Sequence, residues 1–163
     1  MADHFEITDE MKAKIGKESP PWFFEVTTTG VRAFARGAGI TDRVYYDEEA
    51  AKQAGYRSLP APLTYHGTPV FIPGESDETF SMPLNADVTV EHGLPNTIDG
   101  GKETEYFEQI CAGDTLTCIS QLKALDIKVT GSGNHMLVTT IQFAFTNQHG
   151  KVAVIERLKV INH

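Results

Sequence analysis

The chain has 163 residues, 40% of them hydrophobic and 22% charged, with a formal net charge of -8 at pH 7. This length suits one domain with a real core, and the composition is that of a globular protein, not a disordered or fibrous one. An acidic surface repels phosphate backbones and anionic lipid, and no run approaches the roughly 18 apolar residues of a membrane span. Broad nucleic-acid and membrane roles are therefore disfavoured. Met1-Ala2-Asp3-His4-Phe5-Glu6 has neither a basic start nor an apolar stretch, unlike a signal peptide, so a cytoplasmic location is expected. Cys111 and Cys118 supply no CxxC motif and read as buried free thiols in a reducing compartment.

In chain order, a short polar helix is expected around Asp9 to Ile15, ended by Ser19-Pro20-Pro21. Phe23 to Val26 reads as a short strand leading into Thr27-Thr28-Thr29, any of which can cap a helix. Val31, Phe34, Ala35 and Ala38 then fall at i, i+3, i+4 and i+7, an apolar helical stripe with Arg32 and Arg36 opposite. A second short helix has both ends written locally. Asp47 caps it, Glu48 and Glu49 favour the positive end of the helix dipole, and Gly55 stops it. The prolines and glycines of residues 57–74 indicate a structured loop, with at most a short helix within Thr64 to Phe71.

Strand patterns dominate the later part. Val88-Thr89-Val90 alternates briefly; Lys102 to Ile110 reads as a strand with Tyr106 and Ile110 on one face. Thr115 to Ile127 is a longer strand whose alternation slips near Ala124 and Leu125, as at a bulge. Leu137, Thr139, Ile141, Phe143 and Phe145 alternate, turn at Asn147-Gln148-His149-Gly150, and continue in Val152, Val154, Leu158 and Val160. Early helices and late antiparallel strands make an α+β plan, a curved sheet wrapped over one helix. Such a sheet has edges to protect, so a dimer or heterodimer is expected.

The run from Gly39 through Ile40-Thr41-Asp42-Arg43-Val44-Tyr45-Tyr46-Asp47 to Ala51, with Ala54-Gly55-Tyr56 and Leu59-Pro60-Ala61-Pro62-Leu63-Thr64, resembles the MaoC-like hydratases and dehydratases. The variety it is most similar to is their N-terminal, FAS1-type dehydratase domain. Ile15 to Glu18, Gly100-Gly101 with Glu103, Tyr106 and Phe107, Ala112 to Leu116, and Phe143 to Gly150 extend the likeness, so residues 1–163 read as one such domain. The resemblance implies the hot-dog fold, a curved antiparallel sheet around a central helix. It also implies an acyl thioester of coenzyme A or a carrier protein as substrate, with no cofactor and no metal.

Active members of that family carry Gly-Asp-x-Asn-Pro-(aliphatic)-His, whose Asp and His share the proton transfers of water addition and removal. Here Gly39 and Val44 match, but Ile40 stands for the Asp, Asp42 for the Asn, Arg43 for the Pro and Tyr45 for the His. Ile40 exchanges no proton, and a tyrosine, with a reference pKa of about 10, is a poor base near neutrality. The resemblance thus implies a partner, a second hot-dog subunit carrying the Asp/His pair, with this chain shaping the acyl pocket.

Three residues are candidate substitutes for the missing pair. His66 lies in the Pro-rich loop, with Asp42 or Asp47 to orient it, though a surface or capping histidine is the plainer reading. Asp42 is a carboxylate two residues from the lost position, otherwise a solvated turn residue. Tyr45 offers a hydroxyl, otherwise a rim-packed ring. Tyr45, Pro62, Thr64, Gly100 and Gly101 are the candidate substrate-binding residues, and Arg57 is a weaker candidate for a coenzyme A phosphate. Two other functions remain open: a self-sufficient homodimeric hydratase or thioesterase using other residues, and a non-catalytic acyl-CoA binding module.

Overall fold

The computed structural model describes residues 5–86 and 88–163; residues 1–4, which carry most of the N-terminal reading above, lie outside the described residues. Helix α1 (Asp9–Lys12) is capped by the Thr8 side chain and is shorter than expected, because residues after Lys12 leave the helix for a turn. β1 (Trp22–Glu25) follows the prolines. Thr27 is the threonine that caps α2 (Thr28–Gly37), its hydroxyl accepting the Gly30 N–H at 3.0 Å. Val31 and Ala35 on the apolar stripe are fully buried, Phe34 is partly buried, and Arg32 and Arg36 are exposed. After a 3-10 turn at Arg43–Tyr45, Asp47 caps α3 (Glu48–Gln53) by accepting from the amides of Glu49 and Ala50.

The remaining elements are strands: β2 (Thr68–Pro69), β3 (Thr97–Tyr106), β4 (Thr115–Val129), β5 (His135–Asn147) and β6 (Val152–Asn162). All pair antiparallel in one curled sheet ordered β2-β1-β4-β5-β6-β3. The register of β4 on β5 shifts between Leu122 and Ala124, where the alternation slips in the sequence. The β5–β6 turn is held by the Asn147 side chain, which accepts from the amides of His149 and Lys151.

The structure corrects the bounds of one strand and gives definite form to two segments that the sequence left open. No helix forms within Thr64 to Phe71: Thr64 sits at φ +72, Gly67 at φ +99, and Thr68–Pro69 pairs with β1 as strand β2. The Lys102 to Ile110 strand instead spans Thr97–Tyr106, and Tyr106 and Ile110 do not share a strand face. The chain leaves the ladder after Tyr106 so that the Ile110 carbonyl can accept from Ala61 and the Ala112 amide can donate to Leu59. Val88-Thr89-Val90 is not a strand, although its alternation is real: both valines are buried and Thr89 is exposed.

The core has two parts that share Phe143. One gathers Phe24, Val31, Ala51, Leu59, Leu116, Cys118, Phe145 and Val154; the other gathers Met11, Val88, Val90, Leu122, Leu137 and Ile141. Cys111 and Cys118 are buried and free, and burial pushes the Cys118 thiol up to about 12, that of a packed, unreactive group. Gly30 lies where α2 meets the loop: a Cβ there would sit 2.1 Å from the Tyr65 hydroxyl, whose ring stacks on Phe34 at 5.0 Å. Gly30→Ala is expected to push Tyr65 off Phe34 and lower stability by roughly 1–3 kcal/mol, read as a lower urea midpoint with unchanged slope.

Candidate functional site

The segment that carries the family pattern is held by its own backbone and caps. The Tyr46 hydroxyl donates to the Ile40 carbonyl at 2.5 Å, and Arg32 donates to the Tyr46 carbonyl at 2.9 Å, tying the segment to α2. Ile40 offers only an aliphatic side chain. Asp42 is exposed and caps the 3-10 turn, accepting the Val44 N–H at 3.1 Å. Tyr45 is partly buried; burial first, then Tyr56 and Asp42, pushes its hydroxyl above the ordinary tyrosine value. The hydroxyl therefore stays protonated near neutrality and offers no free base. Arg43 pairs with Asp47, the cap of α3, whose carboxyl is lowered first by the Ala50 amide and then by Arg43.

His66 belongs to a different assembly. It is 9% exposed, so the surface reading fails, and neither Asp42 nor Asp47 orients it. The carboxylate beside it is Glu156 of β6, itself 7% exposed, with Oε2 3.8 Å from His66 Nδ1. Lys102 of β3 completes the group, its Nζ 2.8 Å from Glu156 Oε1. The imidazole packs on Phe145 at 4.6 Å and lies 6.3 Å from the Tyr106 ring. Burial lowers the His66 pKa, Glu156 opposes that shift and Lys102 reinforces it, so the ring is neutral near pH 7. Among the described residues, His66 Nε2 has no hydrogen-bond partner.

The backbone holding His66 is tightly determined. Thr64 occupies the left-handed region and donates its N–H to the Tyr106 hydroxyl at 2.9 Å. Gly67 is also left-handed, and a Cβ there would sit 2.9 Å from the Glu25 carbonyl oxygen. Pro62 lines a cleft of about 200 Å³ with Leu63, Tyr65, Tyr106 and Phe107, and the Tyr106 hydroxyl on its wall accepts from the Thr64 N–H. Gly100 and Gly101 lie elsewhere, in a bulge of β3. Gly101 is at φ +105, and its amide donates to Asp99 at 2.7 Å. A Cβ at Gly100 would press on the Lys159 carbonyl at 2.9 Å, which explains that glycine structurally. Arg57 is engaged with Asp114 and is not a free anion contact.

Glu156 and Lys102 were not identified as site residues from sequence. The signal was present for Glu156: it interrupts the series Val152, Val154, Leu158, Val160 at an inward position of β6, where a carboxylate needs a partner. Lys102 carries no comparable signal.

The family model for the FAS1-like dehydratase domain region matches residues 13–156. The chain belongs to that family. It is 32% identical over 124 residues to a UPF0336 protein of Parafrankia sp., covering 76% of each chain. It is 25% identical over 138 residues to a "Probable enoyl-CoA hydratase alpha subunit" of Thermomonospora curvata, covering 80% of this chain and 43% of that one. Among solved structures it is similar to a chain of the C-terminally truncated HadBC (3R-hydroxyacyl-ACP dehydratase) complex of Mycobacterium tuberculosis. That likeness has a TM-score of 0.67 and 19% identity, covers 91% and 97% of the two chains, and shows the fold. The fold is the hot dog of the MaoC-like dehydratases. Among the described residues no helix is long and apolar enough to cross a membrane, and no group of three or more His, Cys, Asp or Glu could hold a metal.

The depressed His66 pKa has a defined consequence. The unfolded chain takes up this proton near pH 6.5 while the folded chain resists it, so stability is full above that pH and falls as the pH drops through it. Urea midpoints of the wild type are expected to drop between about pH 7.5 and about pH 5.5 by more than those of His66→Phe. Equal drops would remove His66 as the source.

Proposed function

We propose that this chain is the acyl-binding half of an enoyl-thioester hydratase or (3R)-hydroxyacyl-thioester dehydratase, working with a second hot-dog subunit that carries the Asp/His pair. The observation that carries this reading is the state of the family segment. Its backbone is bonded into place, yet position 40 is aliphatic and the Tyr45 hydroxyl is held further from ionising. Neither position 40 nor Tyr45 can take up a proton near neutrality, and Asp42 is engaged as the cap of the 3-10 turn, so the two family positions cannot share the proton transfers of water addition.

The sheet supports a partner. Among the described residues β3 pairs only with β6, is exposed along almost its whole length, and presents its other side as a sheet edge. Ile98, Tyr106 and Phe107 are exposed apolar residues on or next to this edge. A second sheet adding antiparallel to β3 would pair with that edge and cover those side chains. The similarity to an enoyl-CoA hydratase alpha subunit and to a chain of the HadBC complex agrees with this arrangement. The substrate is then an acyl thioester of coenzyme A or a carrier protein. The reaction needs no cofactor, because the proton transfers and water suffice. The net charge of -8 fits a protein that handles neither nucleic acid nor membrane surface, and a cytoplasmic location follows the same reading.

The purified chain alone is expected to leave the conjugated-thioester absorbance of crotonyl-CoA and of a longer enoyl-CoA unchanged. Turnover that survives Ile40→Ala and disappears with Asp42→Asn or His66→Ala would overturn the proposal in favour of a self-sufficient homodimeric enzyme.

A further inference from the structure

Strand β3 carries a charge pattern that its own fold does not use up. Directly opposed residues of an antiparallel pair share a face, so Lys102, Thr104 and Tyr106 lie on the same side as Leu158, the buried Glu156 and Val154 of β6. Glu103 and Glu105 lie on the outer side with Arg157 and Ile155. Lys102 is matched by Glu156, its Nζ 2.8 Å from the carboxylate. Among the described residues no cation is bonded to Glu103, because Arg157 across from it bonds Glu105 instead.

A second copy of the chain is the partner always at hand for an exposed edge. When β3 pairs antiparallel with its own copy about a two-fold axis, each residue faces one equally far beyond the axis. Centred on Lys102, that pairing sets two lysines face to face; centred on Glu103 or Glu105, it does the same with two glutamates. Centred on Thr104, it sets Glu103 against Glu105 twice. Registers centred further along run into the Gly100-Gly101 bulge or past the end of the strand at Tyr106. Every self-pairing of the regular run 102–105 therefore opposes like charges, which destabilises a ladder that opposite charges would stabilise. The run is flanked by Ile98, Tyr106 and Phe107, exposed apolar surface that a partner would remove from water.

We propose that β3 chooses its partner by charge: it disfavours a second copy of this chain and takes an edge strand presenting Lys or Arg at the two outer positions that face Glu103 and Glu105. This rests on the reading of the chain as one half of a two-subunit hydratase or dehydratase, and names what the second subunit's edge must carry. Each opposed pair changes an association constant by up to about fivefold, so two pairs turned from repulsion to attraction separate the wanted complex from self-pairing by more than about tenfold.

The test is sedimentation equilibrium of the full chain, without substrate, for the wild type, for Glu103→Lys/Glu105→Lys, and for an equimolar mixture of the two. The two proteins are expected to associate with each other about tenfold more tightly than either associates with itself. If the Lys variant fails to fold, Glu103→Gln/Glu105→Gln, which keeps the shape of both side chains, should self-associate about tenfold more tightly than the wild type. A mixture that associates no more tightly than either chain alone, or a Gln variant that self-associates no more tightly than the wild type, would refute the charge rule and leave the two-subunit reading standing. Turnover of crotonyl-CoA by the wild type alone would instead remove the two-subunit reading, and the proposed partner with it.

Discussion

The buried carboxylate of Asp114 is the point through which the described architecture is tied together. It is 3% exposed and accepts from Arg57, from the Cys111 amide at 2.9 Å and from Gln148 at 3.0 Å. Its backbone carbonyl accepts from Val26, and the neighbouring Gly113 amide donates back to Val26. One residue therefore joins the end of β1, the loop after α3, the start of β4 and the β5–β6 turn. Burial pushes this carboxyl up, but Arg57, the Cys111 amide and Gln148 together hold it below the usual carboxylate range. Because the loop from Arg57 to His66 starts from this knot, the placement of His66 against Glu156 depends on it.

What could be read from the sequence was what neighbouring residues decide among themselves. The cap and stop of α3, the α2 stripe, the β5–β6 turn and the β4 bulge all depend on contacts a few residues apart or on an unbroken alternation. The resemblance in Gly39 to Thr64 led to the family. Outcomes set by distant partners could not be read this way. Residues 64–71 avoid a helix because Tyr106 takes the Thr64 amide, β1 takes Thr68–Pro69 and the Glu25 carbonyl packs against Gly67. Ile110 leaves β3 to meet residues 59–61.

The candidate site divides the same way. Asp42 and Tyr45 were found by position, and the structure gives Asp42 a capping role and holds the Tyr45 hydroxyl protonated. His66 was found as a loop histidine, but its surroundings were not foreseeable, since its partner lies on a strand far along the chain. The inward Glu156 in an otherwise apolar series marked one half of that pair. Together these features put an aliphatic side chain and a high-pKa tyrosine in the family segment, and a buried His66–Glu156–Lys102 group inside the sheet.

The most direct test of the two-subunit reading is enoyl-CoA hydration by the chain co-purified with a hot-dog subunit that carries the Asp/His pair. The complex is expected to turn over, to lose activity when the partner's histidine is replaced, and to keep it when Tyr45→Phe is made in this chain. Loss of turnover on Tyr45→Phe, with turnover surviving replacement of the partner's histidine, would contradict the account and place the chemistry in this chain.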